Sequence, residues 1–241
     1  MSSAPLHPVH HVDVGHLRLA YRTAGDPDAP TLLLLHALGE SSLSWDPLLD
    51  DLAGLGYRVL APDARGHGDS DRPGAYSYEL MTADTLAFCD AMAPAPGGLT
   101  VVGHSMGAVT AALTTMALTA GSPGRVTRLV LEDATPTRPG GPTFEPFDEP
   151  DHPVPFDWPL VNALRAQRSD PDPAWWDDSL RIDVPVLVVA GGPTSSVDQA
   201  DLKDFAAGVA DGRLVEIPAG HMVHDEAPAE FLAVVGGFLR G

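Results

Sequence analysis

The chain is poor in sulfur and in positive charge. Among 241 residues there is one cysteine, Cys89, and one lysine, Lys203, beside thirteen arginines. A lone thiol excludes an intramolecular disulfide and a cysteine-built zinc site. Cys89 lies in the apolar pattern LMTADTLAFCDAM, where it reads as a small core residue. Acidic residues number 33 against 14 basic ones, a net charge of −19. Such a surface repels nucleic acid and anionic membranes, and no basic patch offsets it, so neither is expected as a partner. No apolar run approaches the ~20 residues needed to cross a bilayer. The first residues, MSSAPLHPVHHVDVG, lack the basic and apolar regions of a secretory signal, which predicts a cytoplasmic address. The ten histidines are scattered, and His7, His10 and His11 read as a solvated tail.

What is abundant is apolar surface: 44% of residues are hydrophobic, enough for a folded domain with a sizeable core. Short apolar runs alternate with amphipathic stretches. The strand candidates are LRLAY (17–21), TLLLLH (31–36), YRVLAP (57–62), LTVVGH (99–104), TRLVLED (127–133), VPVLVVAG (184–191) and RLVEIP (213–218). Runs such as LLLLH and VLVVA are apolar on both faces, as central strands covered on both sides must be. SYELMTADTLAFCDAM, MGAVTAALTTMALTA, VDQADLKDFAAGVA and PAEFLAVVGGFLR carry helical patterns. The alternation predicts an α/β fold with a doubly wound, mostly parallel sheet flanked by helices. One segment breaks the rhythm: residues 136–183 are rich in proline, acid and tryptophan. It is too long for an ordinary connection and reads as an insertion folded over one end of the sheet. Within it only DWPLVNALRAQR reads as a helix, with Asp157 as its N-cap.

The stretch VVGHSMGAV places Ser105 between Gly103 and Gly107, after an apolar run and before a helical one. This is G-x-S-x-G in the strand–turn–helix context that gives the pattern meaning. The glycines let the strand reverse without Cβ clashes, leaving the serine exposed at the tip of the turn. The same turn aims the first helical N–H groups at a place where negative charge can develop.

PDARGHGDSDRP (62–73), AGHMVHDEAPAEF (219–231) and LLLLHALGESSLSW (32–45) complete a likeness. Together with the serine motif they resemble the α/β-hydrolase fold family, over nearly the whole chain outside 136–183. The best matches are its small cap-bearing esterases, lactonases and cofactor-free haloperoxidase-like members. The resemblance implies a hydrolase core at 1–135 and 184–241 with a cap at 136–183. It implies Ser105 as nucleophile and the backbone N–H groups of Met106 and Leu38 as oxyanion donors. Ala37 stands where glycine is commoner. Gly220-His221 matches the family's Gly-His, which makes His221 the base and His224 a neighbouring polar group; the side chain of His104 should point away. His36, Asp63 and Arg65 read as braces of their loops, and a substrate role for His67 is not expected.

The acid departs from the common pattern. Thr194 or Ser195 falls where aspartate is usual, in GGPTSSVDQADL. Asp133, at the end of TRLVLED, takes the slot that some members use. Asp198 and Glu132 stand as alternatives, Asp198 also being placed to cap the next helix. Glu132 and Asp133 are adjacent on a strand and face opposite ways, so both cannot address His221. The four tryptophans read mainly as packing residues, while Phe144, Phe147, Phe156 and Trp158 are placed to line an apolar pocket above Ser105. The implied activity is cleavage of a carboxylic ester or lactone of a small, largely apolar substrate, with no cofactor and no metal. Perhydrolysis and C–C bond hydrolysis would use the same triad, and a non-catalytic small-ligand binder is the alternative from another class. Epoxide hydrolases and haloalkane dehalogenases of this fold need aspartate where Ser105 stands.

Overall fold

The computed structural model describes residues 6–93, 98–141 and 143–241. Residues 1–5 of the amino-terminal segment and Pro142 of the insertion lie outside the described residues. In chain order the elements are β1 (His10–Asp13), β2 (Arg18–Ala24), β3 (Thr31–Leu35), α1 (Leu49–Ala53) and β4 (Arg58–Pro62). There follow α2 (Tyr78–Met92), β5 (Leu99–His104), α3 (Met106–Gly121), β6 (Val126–Glu132), α4 (Pro159–Ser169) and α5 (Pro173–Ser179). The last are β7 (Val186–Ala190), α6 (Gln199–Gly208), β8 (Gly212–Glu216), α7 (Val223–Glu226) and α8 (Pro228–Arg240).

Eight strands form one sheet in the order β1-β2-β4-β3-β5-β6-β7-β8. β1 and β2 pair antiparallel at one edge, and every pair from β4 to β8 is parallel. Alternate residues of each central strand feed two cores. Leu33, Leu35, Val101, Leu129, Leu131, Val186 and Val188 face one cluster, with Phe88 of α2, Ala111 of α3 and Phe205 of α6. Leu32, Leu34, Val102, Val130, Leu187 and Val189 face the other, with Leu49 and Leu52 of α1 and Phe231 and Val235 of α8. A period of two along strands buried on both faces accounts for runs with no polar side.

Six of the seven expected strands end within two residues of their expected limits, β2 runs three residues further, to Ala24, and three local readings change. His10 and His11 are not tail: they open β1, pairing with Tyr21 and Ala20. His7 is also held, its N–H and Nδ1 lying 3.1 and 3.2 Å from Asp46 Oδ1. A polar edge strand exposes most of its side chains, so its sequence looks like solvated coil. Asp157 does not cap α4, whose N-cap is Trp158 without a side-chain bond. The Asp157 carboxylate instead accepts the Tyr76 hydroxyl, and its N–H donates to Gly66 O at 2.7 Å. The insertion also contains a second helix, α5, capped by Asp172, whose side chain accepts from Ala174 N at 2.9 Å.

The insertion packs in two directions. Trp176 of α5 joins the core of the α2–α3–α6 face. Leu160, Val161 and Leu164 of α4 and Trp175 of α5 form a third cluster with Tyr76, Met81, Met106 and Val109. Leu38, Phe156 and Trp158 pack against that cluster. Phe144 and Phe147 take another place, under the guanidinium groups of Arg165 and Arg168 on α4. No helix among the described residues is long and apolar enough to cross a membrane.

Candidate active site

The parallel strands point their carboxyl ends to one edge, and three side chains meet there. Ser105 follows β5, Asp133 follows β6 and His221 lies in the loop after β8. His221 Nε2 is 2.9 Å from Ser105 Oγ, and His221 Nδ1 is 2.7 Å from Asp133 Oδ2. A carboxylate can only accept, so Nδ1 carries the proton toward Asp133 and the Nε2 lone pair faces the serine hydroxyl. Asp133 is fully buried, while the His221 side chain keeps 27% of its surface.

Ser105 has φ 52° and ψ −112°, a conformation that side chains with Cβ rarely adopt. The flanking glycines are required by close backbone approach. A Cβ on Gly103 would lie 2.2 Å from Gly107 O, and one on Gly107 would lie 2.2 Å from Leu35 O. The strand thus reverses into α3 with its backbone packed against the end of β3. Ser105 N donates to Glu132 O at 3.0 Å, tying the turn to β6. The N–H groups of Met106 and Leu38 have no acceptor among the described residues.

Asp133 accepts four hydrogen bonds. Besides His221 they come from Gly191 N at 2.7 Å, Gln199 Nε2 at 3.1 Å and the Ser195 hydroxyl. Burial opposes ionisation, but the bonds from His221, Ser195, Gly191 and Gln199 outweigh it and hold the carboxyl below its ordinary value. Ser195, in the loop where aspartate is usual, therefore donates to the carboxylate that stands one strand earlier. Neither Ser195 nor Gln199 was singled out as a site residue from sequence. Asp198 caps α6, accepting from Ala200 N at 2.8 Å. Glu132 turns to the opposite face and takes His224, with Nδ1 2.8 and 2.9 Å from its two oxygens. His104 points away from Ser105 and donates Nε2–H to the His221 carbonyl oxygen at 2.8 Å. Burial opposes charge on His104, but the Glu132 and Glu40 carboxylates outweigh it and push its pKa up to about 9.

The loop after β3 is braced by two neutral imidazoles. His36 Nδ1 donates to Ala37 O at 2.7 Å and Nε2 accepts from Ala64 N at 2.9 Å. His67 Nδ1 donates to Arg65 O at 3.1 Å and Nε2 accepts from Gly39 N at 3.2 Å. Asp63 accepts from Ser42 N at 2.7 Å and Asp69 N at 2.9 Å, and Arg65 pairs with Asp84 at 2.5 Å. Burial lowers the pKa of His36 and takes that of His67 down to about 3. The unfolded chain binds a proton at each near pH 6.5 while the folded chain resists it, so stability falls as pH drops below about 6.5, and for His67 the loss continues toward pH 3. Each such proton steepens the slope by at most about 1.4 kcal/mol per pH unit. Urea unfolding at pH 7 and pH 5 is expected to show this loss, and His67→Gln to make it smaller. An unchanged pH dependence in His67→Gln would show that His67 does not resist protonation.

The chain belongs to the alpha/beta hydrolase fold family, whose model matches residues 30–167. Epoxide hydrolase A of Mycobacterium tuberculosis is 41% identical over 41% of this chain, a match spanning 31% of that protein's length. An sn-1-specific diacylglycerol lipase of Mus musculus is 27% identical over 95% of this chain and 87% of its own. A solved hydrolase from Pseudomonas aeruginosa superposes with a TM-score of 0.79 and 26% identity, covering 97% of this chain and 98% of the other.

Proposed function

We propose that this protein is a serine hydrolase that cleaves a carboxylic ester or lactone of a small, largely apolar substrate. The observation that carries the reading is the unbroken chain from Ser105 Oγ through His221 to the buried, four-fold hydrogen-bonded Asp133. Ser105 Oγ attacks the carbonyl carbon while its proton passes to His221 Nε2. Asp133 holds the imidazole in the right tautomer and stabilises the cation. The oxyanion takes hydrogen bonds from the Met106 and Leu38 N–H groups, each typically worth ~10²–10³ in rate. His221 then protonates the leaving alcohol, and water activated by the same nitrogen releases the acid from Ser105.

Residues 136–183 serve as the cap over a core made by 1–135 and 184–241. Phe156 and Trp158, which pack with Leu38 against the apolar cluster that contains Met106, would supply an apolar wall on the side of the oxyanion donors. The epoxide hydrolase relative does not lend its reaction, since Ser105 stands where that chemistry needs a carboxylate. Hydrolysis by a relative named as a diacylglycerol lipase supports an ester as the bond cleaved. A fluorophosphonate probe tests the reading. It is expected to add one equivalent at Ser105, located by peptide mass spectrometry, with ester hydrolysis lost in proportion. A chain that stays unlabelled while folded would be a binder rather than a hydrolase.

A further inference from the structure

On the α1–α8 face of the sheet, behind the Ser105–His221–Asp133 chain, the polar side chains of Glu40, His104 and His224 converge. His104 and Glu132 end β5 and β6 in register, so both side chains fall on this face. Trp45 stacks on His224 with ring centroids 3.9 Å apart, and Phe231 lies beside it. His104, Glu132 and His224 are each at most 1% exposed. Both tautomers are set from outside. His104 spends its Nε2–H on the His221 carbonyl, and His224 spends its Nδ1–H on Glu132. With His104 neutral, as ligation requires, His104 Nδ1 and His224 Nε2 are the ring nitrogens left unbonded, and Glu40, His104 and His224 each bring one ligand atom within 4.8 Å of the others. None of the buried atoms His104 Nδ1, His224 Nε2 and Glu40 Oε2 has a hydrogen-bond partner among the described residues.

Buried acceptors cost free energy unless a donor or a positive charge sits among them. One water has two O–H donors for three acceptors. With no ion bound, the Glu132 and Glu40 carboxylates favour a proton on His104 Nδ1, but it points at a Glu40 oxygen 3.7 Å away, too far for a hydrogen bond, and metal binding displaces it. A divalent cation answers all three at once. The geometry points to a buried divalent-metal site with Glu40, His104 and His224 as ligands, oriented by the His221 carbonyl and the Glu132 carboxylate. Imidazole and carboxylate donors suit zinc or cobalt, and metal-bound histidines commonly donate their other N–H to a carboxylate or carbonyl. Bonds of ~2.0–2.2 Å place tetrahedral ligand atoms about 3.3 Å apart, so the ion draws in Glu40, the ligand nearest the surface. Asp225 Oδ1, 3.8 Å from His224 Nε2, or a water supplies the fourth position. The ion anchors the loop that carries His221 through the His104 N–H, while using none of the Ser105, Asp133 or His221 side chains.

The full chain, stripped with chelator, is titrated with Zn²⁺ and Co²⁺ by calorimetry and absorption spectroscopy. One equivalent is expected, with a tetrahedral Co²⁺ spectrum and a Tm raised by about 5 °C or more at saturating Zn²⁺. Glu40→Gln, at the most exposed ligand, is expected to weaken binding at least tenfold and to abolish the Tm shift. His10→Ala/His11→Ala, in the exposed edge strand, is expected to keep both. Ser105→Ala is also expected to bind one equivalent, so failure of the hydrolase reading leaves this test standing. Absence of stoichiometric binding to the wild-type chain would overturn the proposal. So would binding that survives Glu40→Gln and disappears with His10 and His11.

Discussion

Ser105→Ala is expected to lower kcat on an activated ester by about 10⁴–10⁶-fold, as loss of the nucleophile does where a triad acts as a unit. The residual rate should come from binding and the oxyanion donors alone. Folding should not change, because alanine keeps the Cβ and hence the same unusual backbone at φ 52°. That distinguishes it from Ser105→Gly, which also removes the hydroxyl but relieves the strain. Such strain costs of order 1–3 kcal/mol, so the glycine variant should melt a few degrees higher while being equally inactive. A serine kept in a costly conformation is a mark of function rather than stability. Steady-state kinetics with thermal melts on the three proteins decide it. Retention of more than about a tenth of wild-type turnover in Ser105→Ala would remove this residue from the nucleophile's role.

The central strands were legible because burial on both faces leaves a pattern that solvent exposure cannot imitate. LLLLH and VLVVA could only be interior, and they became β3 and β7. β1 was missed for the converse reason: an edge strand in which only Val12 is partly buried carries too little apolar signal. α5 was missed because seven residues give under two turns, and WW in a proline-rich segment has no period to read. The serine turn was legible since its glycines answer a local steric demand, now visible as contacts of 2.2 Å to backbone oxygens.

Which carboxylate faces which histidine was harder, because it depends on how distant strands lie side by side. Strand parity did separate Glu132 from Asp133, and the two turn to opposite faces as adjacent residues must. The result is two histidine–carboxylate pairs whose histidines stand three residues apart between β8 and α8, His221 with Asp133 and, from α7, His224 with Glu132. Spacing alone carried no sign of Ser195 and Gln199 as donors to Asp133, nor of Glu40 beside His104. Those contacts bring the segments after β3, β6 and β7 and the end of β5 to one sheet edge, and no local pattern encodes that meeting.

The same parity makes the acid testable by a set of isosteric changes. Asp133→Asn should keep the shape of the site but remove the charge that fixes the His221 tautomer, lowering kcat by about 10⁴-fold. The variant also turns an amide N–H₂ toward groups that now donate to Asp133: Gly191 N, Gln199 and Ser195. A stability loss of about 1–3 kcal/mol should accompany it, so activity is measured on protein shown to be folded by circular dichroism. Asp198→Asn should do almost nothing, because asparagine caps a helix as well as aspartate and, among the described residues, the Asp198 side chain bonds only Ala200 N. Glu132→Gln separates the remaining case. Its oxygens meet His224 and not His221, so its effect should fall on stability and leave kcat within about tenfold of wild type. If Asp133→Asn, folded, turned over ester nearly as well as wild type while Glu132→Gln or Asp198→Asn did not, the carboxylate behind His221 would have to be reassigned. The 2.7 Å contact would then be a brace for the loop rather than part of the proton path.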